Sequence, residues 1–254
     1  MIRLDVALRQ WGLAPSRAKA QELLREGAVE IQSQSGWQVC REESYQVDES
    51  QPDRVRLVTR DAIEYVSRGG RKLAAALDEL ALDVVGQRIL DVGISTGGFA
   101  DCLLRRGAIE IVGIDVGHDQ LAPSLRAEPR LKAFEGINAR HLQQIEELQP
   151  WLQTGFDLIV VDVSFISLEI ILPQIQSFIR PKGHLLALVK PQFEVANQEH
   201  NRRGIVTDLE LHAQVRDKIV QRAVQEGLRV QNYLTCALAG QDGNQEYFLY
   251  AEKP

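Results

Sequence analysis

Three glycines and an aspartate near the middle of the chain form a pattern that suits the binding of a small charged ligand. The segment RILDVGISTGGFADCLL, residues 88–104, passes from an apolar run ending at Asp91 into helical spacing, with three glycines between: Gly93, Gly97 and Gly98. Glycines adopt positive φ and let a ligand approach the backbone, and a helix N-terminus offers unpaired N–H groups. The pattern predicts a strand, a tight turn and a helix, with a plain turn capped by Ser95 or Thr96 as the alternative.

The spacing of these residues indicates S-adenosylmethionine as the ligand. The pattern D-x-G-x-x-x-G-G differs from the G-x-G-x-x-G of nicotinamide and flavin sites, and the acid precedes the turn. Such an acid suits an amino-acid head or a sulfonium better than a pyrophosphate. The next apolar strand ends in Asp115, close to the offset of about 20 residues at which an acid reaches ribose hydroxyls. We expect the cofactor to contact Asp91, Gly93, Ser95, Thr96, Gly97, Gly98, Phe99 and Asp115.

Apolar strands that alternate with helices deliver further polar residues to the same edge of a predicted sheet. Asn138 follows the strand at 131–136, Asp162 ends the apolar run at 156–165, and Lys190 ends GHLLALVK. Because ligands in doubly wound sheets lie outside the carboxyl ends of the strands, Asn138 is predicted to hydrogen-bond an adenine edge. An Asn turn is the alternative. Asp162 and Lys190 are expected as an acid and a base at one rim, and a structural salt bridge is their alternative.

The remaining segments complete an α/β pattern. Lys72 lies one residue inside a helix that starts in SRGGRKL, where local sequence favours a solvated lysine. The polar segment 195–203 is predicted to be a loop near the substrate. Thr207 and Glu210 form a T-x-x-E capping box for a long helix that reaches about residue 226. Two final strands follow, and Glu246 begins the second. This order predicts a Rossmann-like class I methyltransferase domain.

A small unit precedes this domain. Its first helix has apolar residues at i, i+3, i+4 and i+7: Leu4, Ala7, Leu8 and Trp11. Ser16 is predicted to cap a second helix that Gly27 closes. Alternating residues predict strands around Val29 and Val55. On these features alone, the unit fits a dimerisation element, a helix-turn-helix DNA reader or an RNA-binding module.

Composition limits the functional classes. The 254 residues suffice for one large domain plus a small one, and a net charge of −6 weakens any argument for nucleic-acid binding from total charge. Three widely spaced cysteines indicate neither a disulfide framework nor a metal site. No signal peptide is recognisable, and no segment approaches the ~18 apolar residues of a membrane helix. We expect a cytoplasmic protein without a membrane partner.

Together, the ordered motifs resemble a known family. SRGGRKL, LDVGISTGGF, DVG, NAR, VVDVSFISL, LVKPQFE and GNQEYFLY are similar to the TlyA family, haemolysin-named proteins that act as ribosomal RNA 2′-O-methyltransferases. The catalytic part resembles the FtsJ-type methyltransferases. The first 60 residues resemble the alpha-L RNA-binding domain of a small-subunit ribosomal protein and of pseudouridine synthases. The implied organisation is an RNA-binding domain at 1–60, a linker at 61–66 and a methyltransferase domain at 67–254.

The resemblance implies site residues and partners. A catalytic tetrad would consist of Lys72, Asp162, Lys190 and Glu246, which replaces the solvated interpretation of Lys72. Phosphate contacts would come from Arg17, Lys19, Arg25 and Arg68, although the nearly neutral charge of the small unit leaves a solvated mixed surface as the alternative. The implied partner is ribosomal RNA or a ribosomal subunit. The implied target is a cytidine of the large-subunit RNA; modification of the small subunit and a monomeric or dimeric state stay open.

Two departures and two alternatives accompany the resemblance. Members often carry His before the first tetrad lysine and Trp in the linker, where this chain has Arg71 and Tyr65. These differences bear on how the linker couples the two domains. A pore-forming haemolysin would need an amphipathic or apolar membrane segment, which the sequence lacks. An RNA-binding module without catalysis would not need an intact tetrad.

Overall fold

The computed structural model describes residues 1–58, 64–195, 204–240 and 243–254. It divides into two compact units, Met1–Arg68 and Gly69–Pro254. Residues 61–63 of the predicted linker at 61–66, and all but the first residue of the predicted loop at 195–203, lie outside the described residues. None of the helices in the described part of the chain combines the length and apolar character needed to cross a membrane.

The first unit contains two helices and short antiparallel strands. In chain order these are β1 Ile2–Arg3, α1 Leu4–Gln10, α2 Arg17–Glu26, β2 Val29–Ser33, β3 Gly36–Val39, β4 Gln46–Val47 and β5 Val55–Leu57. Strands β3, β2 and β5 form one sheet, and β1 pairs with β4. The sequence predicts both helices and strands β2 and β5. It does not reveal β1, β3 and β4, because two- to four-residue strands with exposed residues carry no clear alternation.

Local chemistry explains the helix boundaries of this unit. Ser16 Oγ accepts a hydrogen bond from the Lys19 amide at 3.1 Å, as an N-cap should. Gly27 ends α2 with φ +72°, a left-handed conformation that glycine adopts without a Cβ penalty. The apolar faces of the two helices meet in one core that includes Leu4, Leu8 and Leu23. The helical periodicity of the sequence is therefore confirmed here.

The second unit alternates strands and helices as predicted. Its elements are α3 Arg68–Glu79, beginning at the last residue of the first unit, β6 Arg88–Val92, α4 Gly98–Arg105, β7 Glu110–Ile114, α5 Pro123–Arg126, β8 Leu131–Phe134, α6 Gln149–Leu152, β9 Phe156–Val161, α7 Leu168–Ile175, β10 Ile179–Val189, α8 Leu209–Gln225, β11 Arg229–Thr235 and β12 Tyr247–Glu252. The strands form one seven-stranded sheet in the order β11-β12-β10-β9-β6-β7-β8. The expectation of an α/β, Rossmann-like fold with a small α+β unit in front is confirmed.

The register of this sheet gathers several strand ends at one edge. Strands β6, β7, β9 and β10 are parallel, and Val161 pairs with both Val92 and Ala187. Strand β12 runs antiparallel, with Tyr247 opposite Val189. The start of β12 therefore lies beside the end of β10. Asp115, Asp162, Lys190 and Glu246 all follow or precede a strand at this edge.

The core around these strands is apolar on both faces. Leu90, Ile159 and Leu185 are fully buried in neighbouring strands, and Leu172 and Ile219 cover them from α7 and α8. Each such side chain contributes about 1.5–3 kcal/mol of burial free energy. This continuous apolar burial holds the strand ends in fixed positions and leaves polar chemistry to the loops that follow them.

The structure excludes the alternative cap for α4, and it shows that the predicted cap of α8 is wrong by one residue. The N-cap of α4 is Gly97, without a side-chain hydrogen bond, instead of Ser95 or Thr96. The N-cap of α8 is Asp208, whose Oδ1 accepts from the Glu210 amide at 2.8 Å, instead of Thr207. A carboxylate adjacent to the predicted threonine provides the same acceptor one residue later, so the capping-box pattern misplaced the helix start.

Candidate active site

The glycine turn after β6 is shaped by close packing. Gly93 has φ +90°, and a Cβ at this position would collide with the carbonyl oxygen of Asp162. Gly97 has φ +91°, and a Cβ there would meet the side chains of Leu121 and Leu125. Ser95 is also left-handed, with φ +46°. The turn therefore needs glycine at two positions, and one of them lies against the strand that carries Asp162.

Asp115 holds this turn through its carboxylate. Its Oδ2 accepts a hydrogen bond from the Ser95 amide at 2.8 Å, and its Oδ1 accepts from the Gly117 amide at 2.7 Å. Ser95 Oγ in turn donates to Gln120 Oε1 at 3.0 Å. Because each carboxylate oxygen has a further acceptor site, these contacts leave capacity for ligand hydroxyls. The structure thus gives Asp115 an organising role in the turn that its sequence position did not reveal.

Asp91 is a buried acid for which the described residues supply no ion-pair partner. It is fully buried, and among the described residues neither carboxylate oxygen has a hydrogen-bond partner. Burial raises the pKa of Asp91 well above its usual range, and the carboxylates of Asp162 and Asp115 raise it further. The nearby Ala100 amide lowers it, but by less. A cationic ligand group at the turn would satisfy this acceptor.

A pocket opens next to the turn. It spans about 430 Å³ of space between atoms, part of which is open solvent. Ile114, Ile137 and Ile166 give it apolar walls, while Asp115, Asn138 and Ser164 supply polar groups. These walls and the acid at Asp115 could hold an adenosine group, and Asp91 directly precedes Val92 and Gly93, which also line the pocket.

The structure shows the turn alternative for Asn138 and places the residue in the wall of the pocket. Its Oδ1 accepts from the Arg140 amide at 3.0 Å, so the side chain caps the short 3₁₀ turn that follows. The residue also lines the pocket. Because the cap uses only the oxygen, the amide nitrogen is the group that could donate to a base. Ser95, Thr96, Gly98 and Phe99 lie in or just after the glycine turn, Gly98 and Phe99 being buried in the first turn of α4.

Lys72 and Glu246 form a buried ion pair across the unit. Lys72 Nζ donates to Glu246 Oε2 at 2.5 Å, and their side chains are only 10% and 3% exposed. Gly240 lies against the Glu246 carboxylate, where a Cβ would approach Oε1 to 2.7 Å. The solvated interpretation of Lys72 from local sequence is wrong, because its partner follows 174 residues later and could not be seen in the helix itself.

Asp162 and Lys190 form a second ion pair at the ends of β9 and β10. Lys190 Nζ lies 2.6 Å from Asp162 Oδ1, and it donates a hydrogen bond to Ser164 Oγ at 3.0 Å. The Asp162 contact has ion-pair distance without hydrogen-bond alignment, so Oδ1 keeps an unused acceptor. Pro191 follows Lys190, whose φ of −113° and ψ of 100° are extended, as a residue before proline requires.

Cys236 lies near three of these four charged side chains. Burial raises the pKa of its thiol, a backbone hydrogen bond with Leu238 and the charge of Lys72 lower it, and Glu246 and Asp162 raise it. Lys190 joins this group through its contact with Asp162. Among the described residues, no group of three or more His, Cys, Asp or Glu side chains is arranged to hold a metal ion.

An exposed aromatic residue stands beside the second pair. Phe165 is 88% exposed and has a left-handed backbone, with φ +62°. Its ring lies 5.0 Å from that of Phe193, which in turn faces Lys190 Nζ at 6.0 Å. A large apolar ring held in solvent by a strained backbone indicates a binding role. Sequence reasoning missed Phe165, Phe193 and Ser164, although their positions next to Asp162 and Lys190 were a signal.

In the first unit, three polar side chains organise around one buried acid. Asp5 is fully buried and accepts hydrogen bonds from Arg3, Arg17 and Gln21, the last two at 2.9 and 2.8 Å. Burial opposes ionisation of Asp5, but these three hydrogen bonds outweigh it and lower its pKa. Arg17 stays 52% exposed and so presents an oriented guanidinium to solvent.

The other predicted RNA contacts differ in exposure. Lys19 is buried, at 8% side-chain exposure, and pairs with Glu22 at 3.0 Å, so it would have to leave this partner to reach a phosphate. Arg25 is 66% exposed and lies 3.5 Å from Glu43. Arg68 is the first residue of α3. The structure therefore favours Arg17 and Arg25 over Lys19 as surface contacts.

Comparison with known families divides the chain at a similar place. Residues 65–253 match the FtsJ-like methyltransferase family, and residues 2–52 match the S4 domain. The first match covers most of the chain, including both ion pairs and the glycine turn.

Individual relatives are similar over nearly the whole length. The 16S/23S rRNA (cytidine-2′-O)-methyltransferase TlyA of Mycobacterium tuberculosis is 39% identical over 98% of this chain and 88% of its own. A solved structure described as a hemolysin from Streptococcus thermophilus has a TM-score of 0.74 and 32% identity, covering 99% of this chain and 88% of its own. Aeropyrum pernix fibrillarin with bound S-adenosylmethionine shares the fold, with a TM-score of 0.51 and 21% identity over 72% of this chain and 76% of its own.

Proposed function

The chain belongs to the TlyA family, whose larger domain is an FtsJ-like methyltransferase, and we propose that it methylates a ribose 2′-hydroxyl of ribosomal RNA. The observation that carries this proposal is the pair of lysine–carboxylate contacts at the sheet edge beside the glycine turn. Such an arrangement can bind a polar hydroxyl, remove its proton and hold the charge that results.

S-adenosylmethionine would supply an electrophilic methyl carbon, so the difficult step for the protein is to prepare the oxygen nucleophile. The residues that fit this cofactor are Asp91 and the glycine turn for its cationic part and Asp115 for its ribose. Asn138 provides a donor for a base. Since Ser164 both lines this pocket and accepts from Lys190, the pocket and the reacting group share one side chain.

Lys190 is the proposed base for the ribose hydroxyl. A lysine accepts a proton only as the neutral amine, and the Lys190 side chain is only 11% exposed, so bulk water has little access to it. Asp162, at 2.6 Å, orients the amine and stabilises the ammonium after the proton has moved. Ser164 fixes the direction of the lysine, which matters because a base must lie within about 2.6–3.2 Å of the proton it removes.

The Lys72–Glu246 pair is proposed to provide a fixed charge next to the reacting oxygen. Lys72 is held by a carboxylate that is itself buried, so its ammonium cannot swing into solvent. A positive charge held in place stabilises the developing alkoxide without reorganisation.

The substrate is proposed to be held by both units. The exposed ring of Phe165 offers a stacking surface for an unpaired base next to the target ribose, the mode in which proteins bind single-stranded RNA. The S4 domain would add phosphate contacts through Arg17 and Arg25. Lys19 would add another if its ammonium left Glu22, and Arg68 would add one from the start of α3. A relative modifies cytidines of 16S and 23S RNA, so we propose a cytidine of the large subunit, with the small subunit to be tested. Ribosomal substrates would place the reaction in the cytoplasm.

The test is transfer of tritiated methyl groups to purified ribosomal subunits that lack the modification. Label should appear at one cytidine 2′-hydroxyl when S-adenosylmethionine and the full chain are present. A variant without residues 1–58 should bind the cofactor normally and lose RNA binding, with a salt dependence that reports the number of phosphate contacts. Absence of label on both subunits, with cofactor bound, would leave a non-catalytic RNA-binding module as the better description.

A further inference from the structure

The segment after Lys190 folds back onto the loop that follows Asp162. Residues 191–193 form a 3₁₀ turn in which the Phe193 amide donates to the Lys190 carbonyl and the Glu194 amide donates to the Pro191 carbonyl, both at 2.9 Å. These bonds fix the position of Glu194 relative to Lys190. A displacement of one therefore moves the other.

The Glu194 side chain crosses from this turn to the start of α7. Oε2 accepts from Ser167 Oγ at 2.5 Å, and Oε1 accepts from the Leu168 amide at 2.8 Å. Only 1% of the side chain is exposed. Glu194 therefore accepts a hydrogen bond from an amide in the first turn of α7, although it belongs to a different segment of the chain. Ser167, the N-cap of α7, accepts from the Glu169 amide at 3.1 Å.

The charge of Glu194 is only partly balanced. Lys218 Nζ lies 3.6 Å from Oε2 and donates to the Glu194 carbonyl at 2.8 Å, but its nearer carboxylate is Glu169, at 2.8 Å. Burial raises the pKa of Glu194, whereas the hydrogen bonds from Ser167 and Leu168 and the charge of Lys218 lower it by less. The contribution of this side chain thus comes mainly from its two directed hydrogen bonds.

We infer that Glu194 is a positioning residue that fixes the Lys190 turn to the Asp162 loop and so keeps the Lys190–Asp162 pair at reacting distance. On the reacting side, these segments are joined by the Lys190–Asp162 ion pair, the Lys190–Ser164 hydrogen bond and the contact between the Phe165 and Phe193 rings. On the buried side, they are joined by Glu194. Without Glu194, the contacts on the reacting side must hold the two loops whenever substrate competes for Lys190. This inference rests on the proposed function of the Lys190 site.

The experiment compares Glu194→Ala, Glu194→Gln and the matched control Glu169→Gln. Alanine removes both hydrogen bonds, and we expect kcat per bound cofactor to fall by about 10- to 100-fold, the loss that a displacement of about 1 Å causes, with KM for S-adenosylmethionine unchanged. Glutamine can accept from Leu168 and donate to Ser167 Oγ, so Glu194→Gln should stay within about threefold of wild type. Glu169→Gln removes a 41%-exposed charge from the same cluster without breaking the link, and it should turn over like wild type.

Active-site titration with S-adenosylmethionine corrects each rate for the folded fraction, so a purely structural defect cannot imitate the expected fall in kcat. Wild-type kcat in Glu194→Ala, or an equal loss in Glu194→Gln, would overturn the inference. If Glu194→Ala does not fold, Ser167→Ala removes one of the two hydrogen bonds and decides the question: reduced kcat supports the inference, and wild-type kcat refutes it. An inactive wild-type chain would instead overturn the proposed function.

Discussion

Gly93 and Asp162 touch through their backbones: a Cβ at position 93 would occupy the space of the Asp162 carbonyl oxygen. The Asp162 amide also donates to the Val92 carbonyl at 2.9 Å. The turn proposed for the cofactor and the loop proposed for catalysis are thus packed together without a side chain between them. A change in either one is transmitted directly to the other.

Gly93→Ala should impair cofactor binding and turnover together. The added methyl group requires a shift of the Asp162 backbone, and position 93 also has a positive φ that disfavours alanine. We expect a loss of about 1–3 kcal/mol in S-adenosylmethionine binding free energy, measured by calorimetry, with at least a tenfold fall in methyl transfer. Gly86→Ala, at φ +73° with open space around it, controls for backbone strain alone. Normal binding by the Gly93 variant would contradict the packing argument.

Asp91 should couple cofactor binding to pH. Its raised pKa means that the folded chain without cofactor holds a proton that the unfolded chain has already lost, so its contribution to stability declines as pH rises above the ordinary aspartate range. A cationic ligand favours the ionised form, so binding should release a proton and strengthen as pH rises toward neutrality. Calorimetry in buffers of different ionisation enthalpy measures this release.

Asp91→Asn is the matched variant for this linkage. It should bind the cofactor more weakly, release no proton from this position, and show a higher unfolding free energy at neutral pH than wild type in denaturant titrations. A proton release that persists in Asp91→Asn would assign the linkage to another group.

Lys190 should be required as a base and not only as a charge. Lys190→Ala should lower methyl transfer by about 10²–10⁴-fold, the typical contribution of a general base, while the affinity for S-adenosylmethionine changes little. Lys190→Arg should not restore activity, because a guanidinium does not give up its proton at accessible pH. Single-turnover kinetics on ribosomal RNA give both rates. Substantial turnover by the arginine variant would move the base elsewhere.

Variants of the Lys72–Glu246 pair should show that its effect on the unfolding free energy and its effect on methyl transfer can be separated. Glu246→Gln leaves Lys72 buried without its counter-charge and should cost about 3–5 kcal/mol of unfolding free energy. The double variant Lys72→Met with Glu246→Gln removes both charges and should regain most of this loss without regaining methyl transfer. Denaturant melts alongside activity assays check both. An active double variant would limit the pair to a structural role.

Phe165→Ala should weaken substrate binding without affecting the cofactor. Loss of one base–aromatic stack is worth about 1–3 kcal/mol. Because the ring is 88% exposed, the unfolding free energy should change by less than about 0.5 kcal/mol. Phe165→Trp should retain RNA affinity, since it keeps a stacking surface. An unchanged KM for ribosomal subunits in the alanine variant would remove Phe165 from the substrate site.

The sequence predicted most of the second unit because its signals are local. Apolar runs ending at Asp91, Asp162 and Lys190 placed these residues at strand ends, and the parallel register brings them to one edge. The pairing of Lys72 with Glu246 was not visible locally, since a lysine near a helix start is usually solvated. Only the ordered motifs of the family indicated its role, and the structure supplies the contact.

Other features depended on geometry that no residue pattern carries. The helix begins after Gly97, and not at a Ser95 or Thr96 cap as the alternative would have it, while the Ser95 amide donates to Asp115, which follows another strand. Lys19 reads as a surface cation in a helix, yet the fold buries it against Glu22. In the first case the partner comes from another strand. In the second, Glu22 is a local i,i+3 partner, and it is the burial of Lys19 that the sequence did not show.

The position of β12 affects how the domain can fold. This strand is the last of the seven in sequence, but it lies inside the sheet, between β10 and β11. The contacts of β12 with β10 join residues that are far apart in the sequence. Such contacts form late, because the loops that they close are long. A folding intermediate that has assembled β6 to β9 would have its glycine turn in place while Glu246 is still absent from Lys72. Refolding should therefore recover cofactor binding before it recovers methyl transfer.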